Sequence, residues 1–210
     1  MEFIQIDPAE LSRPAAYQLL LNCVAPRPIA FVSTLSPEGV PNLAPFSFFM
    51  AGGSNPPSVV FSPTTDRNND SKHTHRNIEA TGEYVINVVT YAIREKMNQA
   101  SAEYPYGVSE WEEAGFTPAP SVKVRPPLVL ESPLAMECRL FQIVPHGSGP
   151  TSANYIIGEV VCFHVAKSLL DGDVINPTRV VYFGRMSGDW YARANADALF
   201  ALPRPPRIEK

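Results

Sequence analysis

The stretch RPIAFVSTLSPEGVPNLAPFSFF, residues 27–49, opens as a β-hairpin and then departs from one. Ile29, Phe31, Thr34 and Leu35 supply an apolar strand, and Ser36-Pro37-Glu38-Gly39 carries a type I turn signature, with Pro second and Gly fourth. The returning strand holds Asn42, Pro45 and Ser47 among its apolar residues, and Pro45 lacks the N–H that a regular ladder uses. A strand interrupted in this way frees backbone N–H and C=O groups to meet something planar and polar at its edge. Phe46, Phe48 and Phe49 can cover an apolar face beside it. A barrel strand with a bulge accounts for the same residues.

Strand patterns recur over 28–35, 40–51, 57–62, 83–89, 133–145, 155–166 and 179–183, and helical patterns over 14–23, 71–81, 91–101 and 109–114. In the last of these, Ser109 and Glu112 have the spacing of a capping box. Residues 116–132 are too rich in Pro for regular structure and are expected to wrap over the surface. Strands in the majority with helices between them define a mainly β fold, a barrel with inserted helices. With 210 residues, 45% of them hydrophobic, and no internal repeat, one domain over 1–210 is expected.

The net charge of −4 is mild, and Lys and Arg are scattered, so nucleic acid is a poor candidate partner and small molecules are better ones. The start, MEFIQIDPAEL, has no signal-peptide character, and no run reaches the ~20 apolar residues of a membrane span, so a cytoplasmic location is expected. Cys23, Cys138 and Cys162 are far apart and read as three small buried hydrophobes. His73 and His75 stand about 200° apart on a helix, a poor geometry for shared ligation, and no metal is expected. Glycine-rich nucleotide loops and a nucleophile elbow are missing, which disfavours Rossmann, P-loop and α/β-hydrolase chemistry.

Three further stretches carry chemistry. In SPTTDRNNDSKHTHRNIEATGEYVINV (62–88), a polar turn leads into a helix with Lys72, Thr74 and Arg76 near its start. Free amides, the positive end of the helix dipole and cationic side chains form an anion site, most naturally for a phosphate; a solvated helix start is the plainer account. His164 lies on the long strand within 153–176, where a packed or hydrogen-bonded role competes with a catalytic one. In VVYFGRMSGDWYAR (180–193), Gly184 and Gly188 bracket Arg185 ahead of Trp190 and Tyr191, a set that lines a pocket or anchors the C-terminal region equally well.

Taken together with GVSEWEEAGFTPAPS, ESPLAMEC and IIGEVVCFHV, these blocks resemble the flavin reductase-like family, in the same order over about residues 20–195, with 196–210 as a tail. The resemblance implies the FMN-binding split barrel, of Greek-key type, and a homodimer with FMN, or in some members FAD, at its interface. It further implies that Asn42, Ala44, Pro45 and Ser47 face the isoalloxazine edge and that Ser33 and Thr34 lie toward the ribityl chain or phosphate. Ser62 would approach the flavin, and Lys72, Thr74 and Arg76 would hold the phosphate.

Reductases of this kind pass a hydride from NAD(P)H to the flavin, with the protein supplying position and electrostatics. His164, Arg185 and Tyr191 are candidates for the opposite face of the ring, and a monooxygenase or another redox protein is the expected consumer of electrons. One departure stands out. Relatives often carry a His shortly before G-E-V, where this chain reads Ser152-Ala153-Asn154-Tyr155. That favours the alternative of a flavoredoxin-like electron carrier served by a protein donor. A split-barrel binding module without flavin, taking another small anion or heme, is the rival from a different class; the intact NLAPFS and Lys72/Thr74 speak against it.

Overall fold

The computed structural model describes residues 1–104 and 108–207, so Gly107 of the GVSEWEEAG block and residues 208–210 of the tail lie outside the described residues. After the helix Arg13–Cys23 (α1) come the strands Ala30–Leu35 (β1), Pro41–Phe46 (β2), Phe49–Ser54 (β3) and Pro57–Phe61 (β4). The helix His73–Thr81 (α2) leads into Glu83–Val88 (β5), and Arg94–Gln99 (α3) and Glu110–Glu113 (α4) follow. Pro118–Ala119 (β6) and Leu128–Val129 (β7) are the short strands of the Pro-rich segment. Leu134–His146 (β8) and Ala153–Val165 (β9) form a long hairpin. Leu170–Asp171 (β10) with Val174–Ile175 (β11), and Tyr182–Arg185 (β12) with Tyr191–Ala194 (β13), form two small ones.

Seven antiparallel strands make one sheet in the order β2-β1-β5-β8-β9-β4-β3. The expected single strand over 40–51 is two, broken at Ser47-Phe48, and its halves lie at opposite edges of the sheet. Laid flat, six inter-strand gaps would separate those edges by about 29 Å. Phe46 and Phe49 are only three Cα steps apart, at most about 11 Å. The sheet therefore has to curl until its edges meet, which makes a barrel with a seam between β2 and β3.

The interior is filled by residues that share one face of successive strands. Ala30, Val32, Phe46, Val59, Phe61, Tyr84, Ile86, Cys138, Ile156 and Val160 form one buried cluster, joined by Ile78 from α2. Tilted rings cross it, with centroids 5.3 Å apart for Phe46 and Phe61 and 5.7 Å apart for Phe61 and Tyr84. On the outer side of β1 and β2, Phe31 and Leu43 pack beneath Met97 of α3, Trp111 of α4 and Phe183 of β12.

Two local features explain sequence choices. The β1–β2 turn closes with Gly39 donating to the Ser36 carbonyl at 2.9 Å, and Gly39 takes φ +88°, which a glycine tolerates without strain. Gly158, the glycine of G-E-V-V, faces the interior, where a Cβ would stand 1.8 Å from the Tyr84 hydroxyl oxygen. No residue but glycine fits beneath that ring.

Several expectations need correction. Ser109 is the N-cap of α4, but its side chain makes no cap bond, so the S-x-x-E capping box does not form. The cysteines are not alike. Cys23 is exposed, Cys162 half-buried, and Cys138 fully enclosed, where burial pushes its thiol up to about 12. The Pro-rich segment does more than wrap the surface. The Val122, Lys123 and Val124 amides all donate to the carboxylate of Glu137, at 2.8, 2.5 and 2.9 Å, and tie the segment to the sheet.

Two outcomes follow from these contacts. Gly158→Ala should lower stability by about 2–3 kcal/mol through overpacking, and Tyr84→Phe should return part of the loss in the double variant, read as Tm. For Glu137, burial alone would raise the pKa, but the three amides and His164 outweigh it and hold the carboxyl below its usual range. Its stabilisation is thus fully present above the unfolded pKa of about 4.3 and is lost as pH falls through the lower folded value. Glu137→Gln should cost about 1–3 kcal/mol at pH 7 and flatten the acid limb of a stability–pH profile.

Candidate flavin site

Backbone polarity alternates along a strand, and β2 has a neighbour on one side only. The Leu43 amide points away from β1, donating to Glu110 Oε2 at 3.4 Å. Residues two apart face the same way, so the nitrogens of Pro41 and Pro45 also face outward, where no ladder bond is possible. Pro45 therefore costs the sheet nothing, contrary to the expectation that it interrupts the ladder. The outer edge of β2 offers carbonyl acceptors, and its only amide donor is taken by Glu110.

Beside this edge lies a cleft of about 520 Å³ between β2, the start of α2, the chain after α3, and Glu110. Six of the expected cofactor residues line it: Asn42, Ala44, Pro45, Lys72, Thr74 and Arg76. Beneath them is a buried network. Asn42 Nδ2 donates to Thr74 Oγ1 at 2.9 Å and to Thr34 Oγ1 at 3.3 Å, and Asn77 Nδ2 donates to Thr34 Oγ1 at 3.0 Å. Both amide hydrogens of Asn42 are spent below, which turns its carbonyl oxygen toward the cleft as an acceptor. Thr74 Oγ1 accepts from Asn42 and so keeps its own proton to donate.

Other expected residues lie elsewhere. Thr34 is fully enclosed and acts through Asn42 and Asn77, away from any ligand surface. Ser33, one residue earlier and hence on the opposite face of β1, is also fully buried, and its hydroxyl has no hydrogen-bond partner. Ser47 and Ser62 line a second, more apolar cleft of about 330 Å³ at the seam, with Phe48, Phe49 and Met50. There Arg27 Nε donates to Ser47 Oγ at 3.4 Å, and the Asn154 amide donates to Ser62 Oγ at 3.2 Å. Arg185 and Tyr191 line a third cleft, against β12 and β13.

His164 lines none of the three. Its Nε2 meets Glu137 Oε1 at 2.5 Å, the hydrogen-bonded structural arrangement. Cys162 joins that pair, and the three potential ligand atoms lie within 4.8 Å of one another. The sequence hid this grouping because Glu137 and Cys162 are paired across strands, 25 residues apart. Sequence reasoning also missed Asn77, three residues beyond Thr74 on the same helix face, and Glu110, read there as part of a helix start.

The first cleft is chemically suited to an anion. Lys72 is the N-cap of α2 and contributes no side-chain cap, so amides of the first turn stay open to a ligand. Arg67, Lys72 and Arg76 line the cleft, and among the described residues no carboxylate lies within ion-pair distance of any of them. Cations without partners at an uncapped helix start fit a phosphate, and the adjoining edge of acceptors fits a ring bearing N–H groups. A flavin mononucleotide carries both. Of the two histidines on α2, His73 lines the cleft, while His75 is buried with neither ring nitrogen bonded, and burial lowers its pKa.

The comparisons with known proteins bear on this geometry directly. Residues 22–190 match the flavin reductase-like domain, and the chain belongs to that family. It is 36% identical over 211 residues to the uncharacterized protein YwrF of Bacillus subtilis, covering 98% of this chain and 100% of YwrF. Its structure is similar to nitrilotriacetate monooxygenase component B from Bacillus cereus, with TM-score 0.90, 32% identity, and coverage of 96% of this chain and 100% of that one. It is also similar to a Shewanella frigidimarina chain described as having a split barrel domain, with TM-score 0.80, 26% identity, and coverage of 98% and 100%. The fold is the split barrel, and the protein is a flavin-related oxidoreductase of this family.

Glu110 gives the site a measurable pH signature. Burial lifts its carboxyl above the usual range, against the pull of its own amide, the Leu43 amide and the charge of His73. A raised folded pKa favours the folded chain at low pH, and that advantage is lost as pH rises through the folded value. Glu110→Gln keeps an acceptor for Leu43 and removes the charge. It should raise Tm at pH 7, with the difference from the unsubstituted chain vanishing below about pH 4.

Proposed function

We propose that the protein is an FMN reductase that takes electrons from NAD(P)H. The observation that carries this is the set of unpaired cations around the uncapped start of α2, set beside the acceptor edge of β2. Lys72, Arg76 and the first-turn amides of α2 hold the phosphate, helped by the Thr74 hydroxyl. Asn42 and the outward carbonyls of β2 orient the ring, which runs along the strand toward Ser47 and Ser62. The buried hydrogen bonds of Thr34 and Asn77 keep Asn42 in place, so no side chain has to reorganise when the cofactor enters. Bound flavin supplies the hydride chemistry, and no side-chain nucleophile is needed.

The cleft holds the mononucleotide more naturally than FAD, since Asp66, Asp70 and Glu103 on its rim oppose a second phosphate. A homodimer brings a second copy to the apolar cleft at the seam, where Met50 is 59% exposed and Tyr155 39%. Because the B. cereus relative is a monooxygenase component, a monooxygenase is the proposed consumer of the reduced flavin. One observation favours the alternative of an electron carrier with a protein donor. Asn154, in the segment where relatives often carry a His, is spent on Ser62 and Pro63.

The visible spectrum tests both readings. FMN added to the purified protein should give bound-flavin bands that bleach within seconds under anaerobic NADH or NADPH. Lys72→Ala should weaken FMN binding at least tenfold, about 1.4 kcal/mol, by fluorescence titration. Bands that persist with both nicotinamides point to the carrier. A chain that binds no FMN overturns the proposal.

A further inference from the structure

The third cleft, about 420 Å³, belongs to neither flavin-facing surface. Three arginines and three aromatic rings line it, Arg94, Arg185 and Arg193 with Tyr91, Phe183 and Tyr191, beside two carboxylates, Glu95 and Asp189. The guanidiniums are laid on the tyrosines. Arg94 lies 4.1 Å and Arg193 4.9 Å from the centroid of Tyr91, and Arg185 lies 4.6 Å from that of Tyr191. A guanidinium lying on a ring keeps the N–H groups around its rim available, already oriented for a carboxylate or phosphate.

The three cations are not equally engaged. Arg94 donates to the Tyr91 carbonyl at 2.9 Å and pairs with Glu95 at 2.7 Å. Arg185 gives one N–H to the Tyr191 hydroxyl. Among the described residues, neither Arg185 nor Arg193 has a carboxylate within ion-pair distance, although Asp189 lines the same cleft. Two cations thus remain electrostatically open beside aromatic walls.

The frame that carries them is rigid. Arg185 is locked by a backbone pair with Arg27, its amide donating at 2.8 Å and its carbonyl accepting at 2.9 Å. The chains come so close there that a Cβ on Gly184 would stand 3.0 Å from both the Arg27 carbonyl oxygen and Pro26 Cβ. Arg27 itself is buried and donates to the carbonyls of Leu21, Val24 and Met186 at 2.8, 2.6 and 2.6 Å, which joins the β12–β13 hairpin to α1. Binding at this cleft would order little that is not already ordered, so most of the contact energy is available for affinity.

We infer that this cleft binds a small aromatic anion, a single ring or base carrying one carboxylate or phosphate. Its ring packs against Phe183 and Tyr191, and its charge is gripped by Arg185 and Arg193. The volume suits one such ring with its substituent. The same chemistry is offered by an aromatic acid and by the phosphorylated adenosine end of a nicotinamide cofactor. The site stands on its own residues and does not depend on FMN occupying the first cleft.

Isothermal titration of the full chain as purified, with salicylate and 2′-AMP as probes and benzamide and acetate as comparators, tests the inference. At least one aromatic anion should bind ten times more tightly than benzamide, which lacks the charge, and acetate, which lacks the ring. Preference for 2′-AMP would identify the nucleotide source, and preference for salicylate an aromatic acid. Arg193→Gln should weaken binding at least tenfold, and Arg193→Lys, which keeps the charge and loses the fork, at least fivefold. If Arg193→Gln proves unstable by Tm, Arg193→Lys decides. Anions that bind no better than the comparators, or as well to the variants as to the unsubstituted chain, overturn the inference. So does a loss that follows Lys72→Ala while Arg193→Gln has no effect, since the anion would then sit at α2.

Discussion

Two residues, Ser47 and Phe48, join strands that lie at opposite ends of a seven-stranded sheet, and this connection dictates the rest of the molecule. It forces the sheet to close, and closure brings the inward rows of β1, β4, β5 and β9 around one interior. That interior is narrow enough to be filled by a line of rings, Phe46, Phe61 and Tyr84. At the end of the line the Tyr84 hydroxyl needs the space that a side chain at position 158 would occupy. The glycine of G-E-V-V is thus a consequence of barrel diameter.

Closure also leaves β2 without a second neighbour, and the cleft grows along that open side. Where the inward row of β1 changes from Ala30 and Val32 to Thr34, the apolar interior gives way to hydroxyls and amides, and α2 packs there. A buried polar group is costly unless bonded, and here each amide hydrogen of Asn42 finds a hydroxyl. The network fixes the start of α2 against β2. The cationic end of the helix and the acceptor edge of the strand, proposed to take the phosphate and the ring, are held at one spacing.

The sequence conveyed the hairpin turn, the position of α2 and the cationic helix start, because each is local: a Pro-Gly turn, an apolar period, a run of Lys, Thr and Arg. It conveyed less where the answer depends on a neighbour. Pro45 looked like a broken ladder because its outward direction is set by which flank of β2 is empty. The split of 40–51 into two strands at Ser47-Phe48 is a property of sheet order, invisible in an apolar run. Ser33 and Thr34 differ by one residue and lie on opposite faces of β1, a distinction that the resemblance did not make. His164 found its partner across a strand pair, where Glu137 was already gathered by the amides of a Pro-rich loop.

The edge of β2 has a consequence for contacts between molecules. A strand from another chain could recruit this edge only by exchanging hydrogen bonds, and at Pro41, Leu43 and Pro45 it would find carbonyls but no available amide. Two of the nitrogens are prolines, and the third already serves Glu110. Sheet extension across this flank is therefore blocked whether or not a ligand fills the cleft. The two prolines and Glu110 thus close this flank of β2, one of the two edges of the sheet, to strand addition while its carbonyls stay exposed.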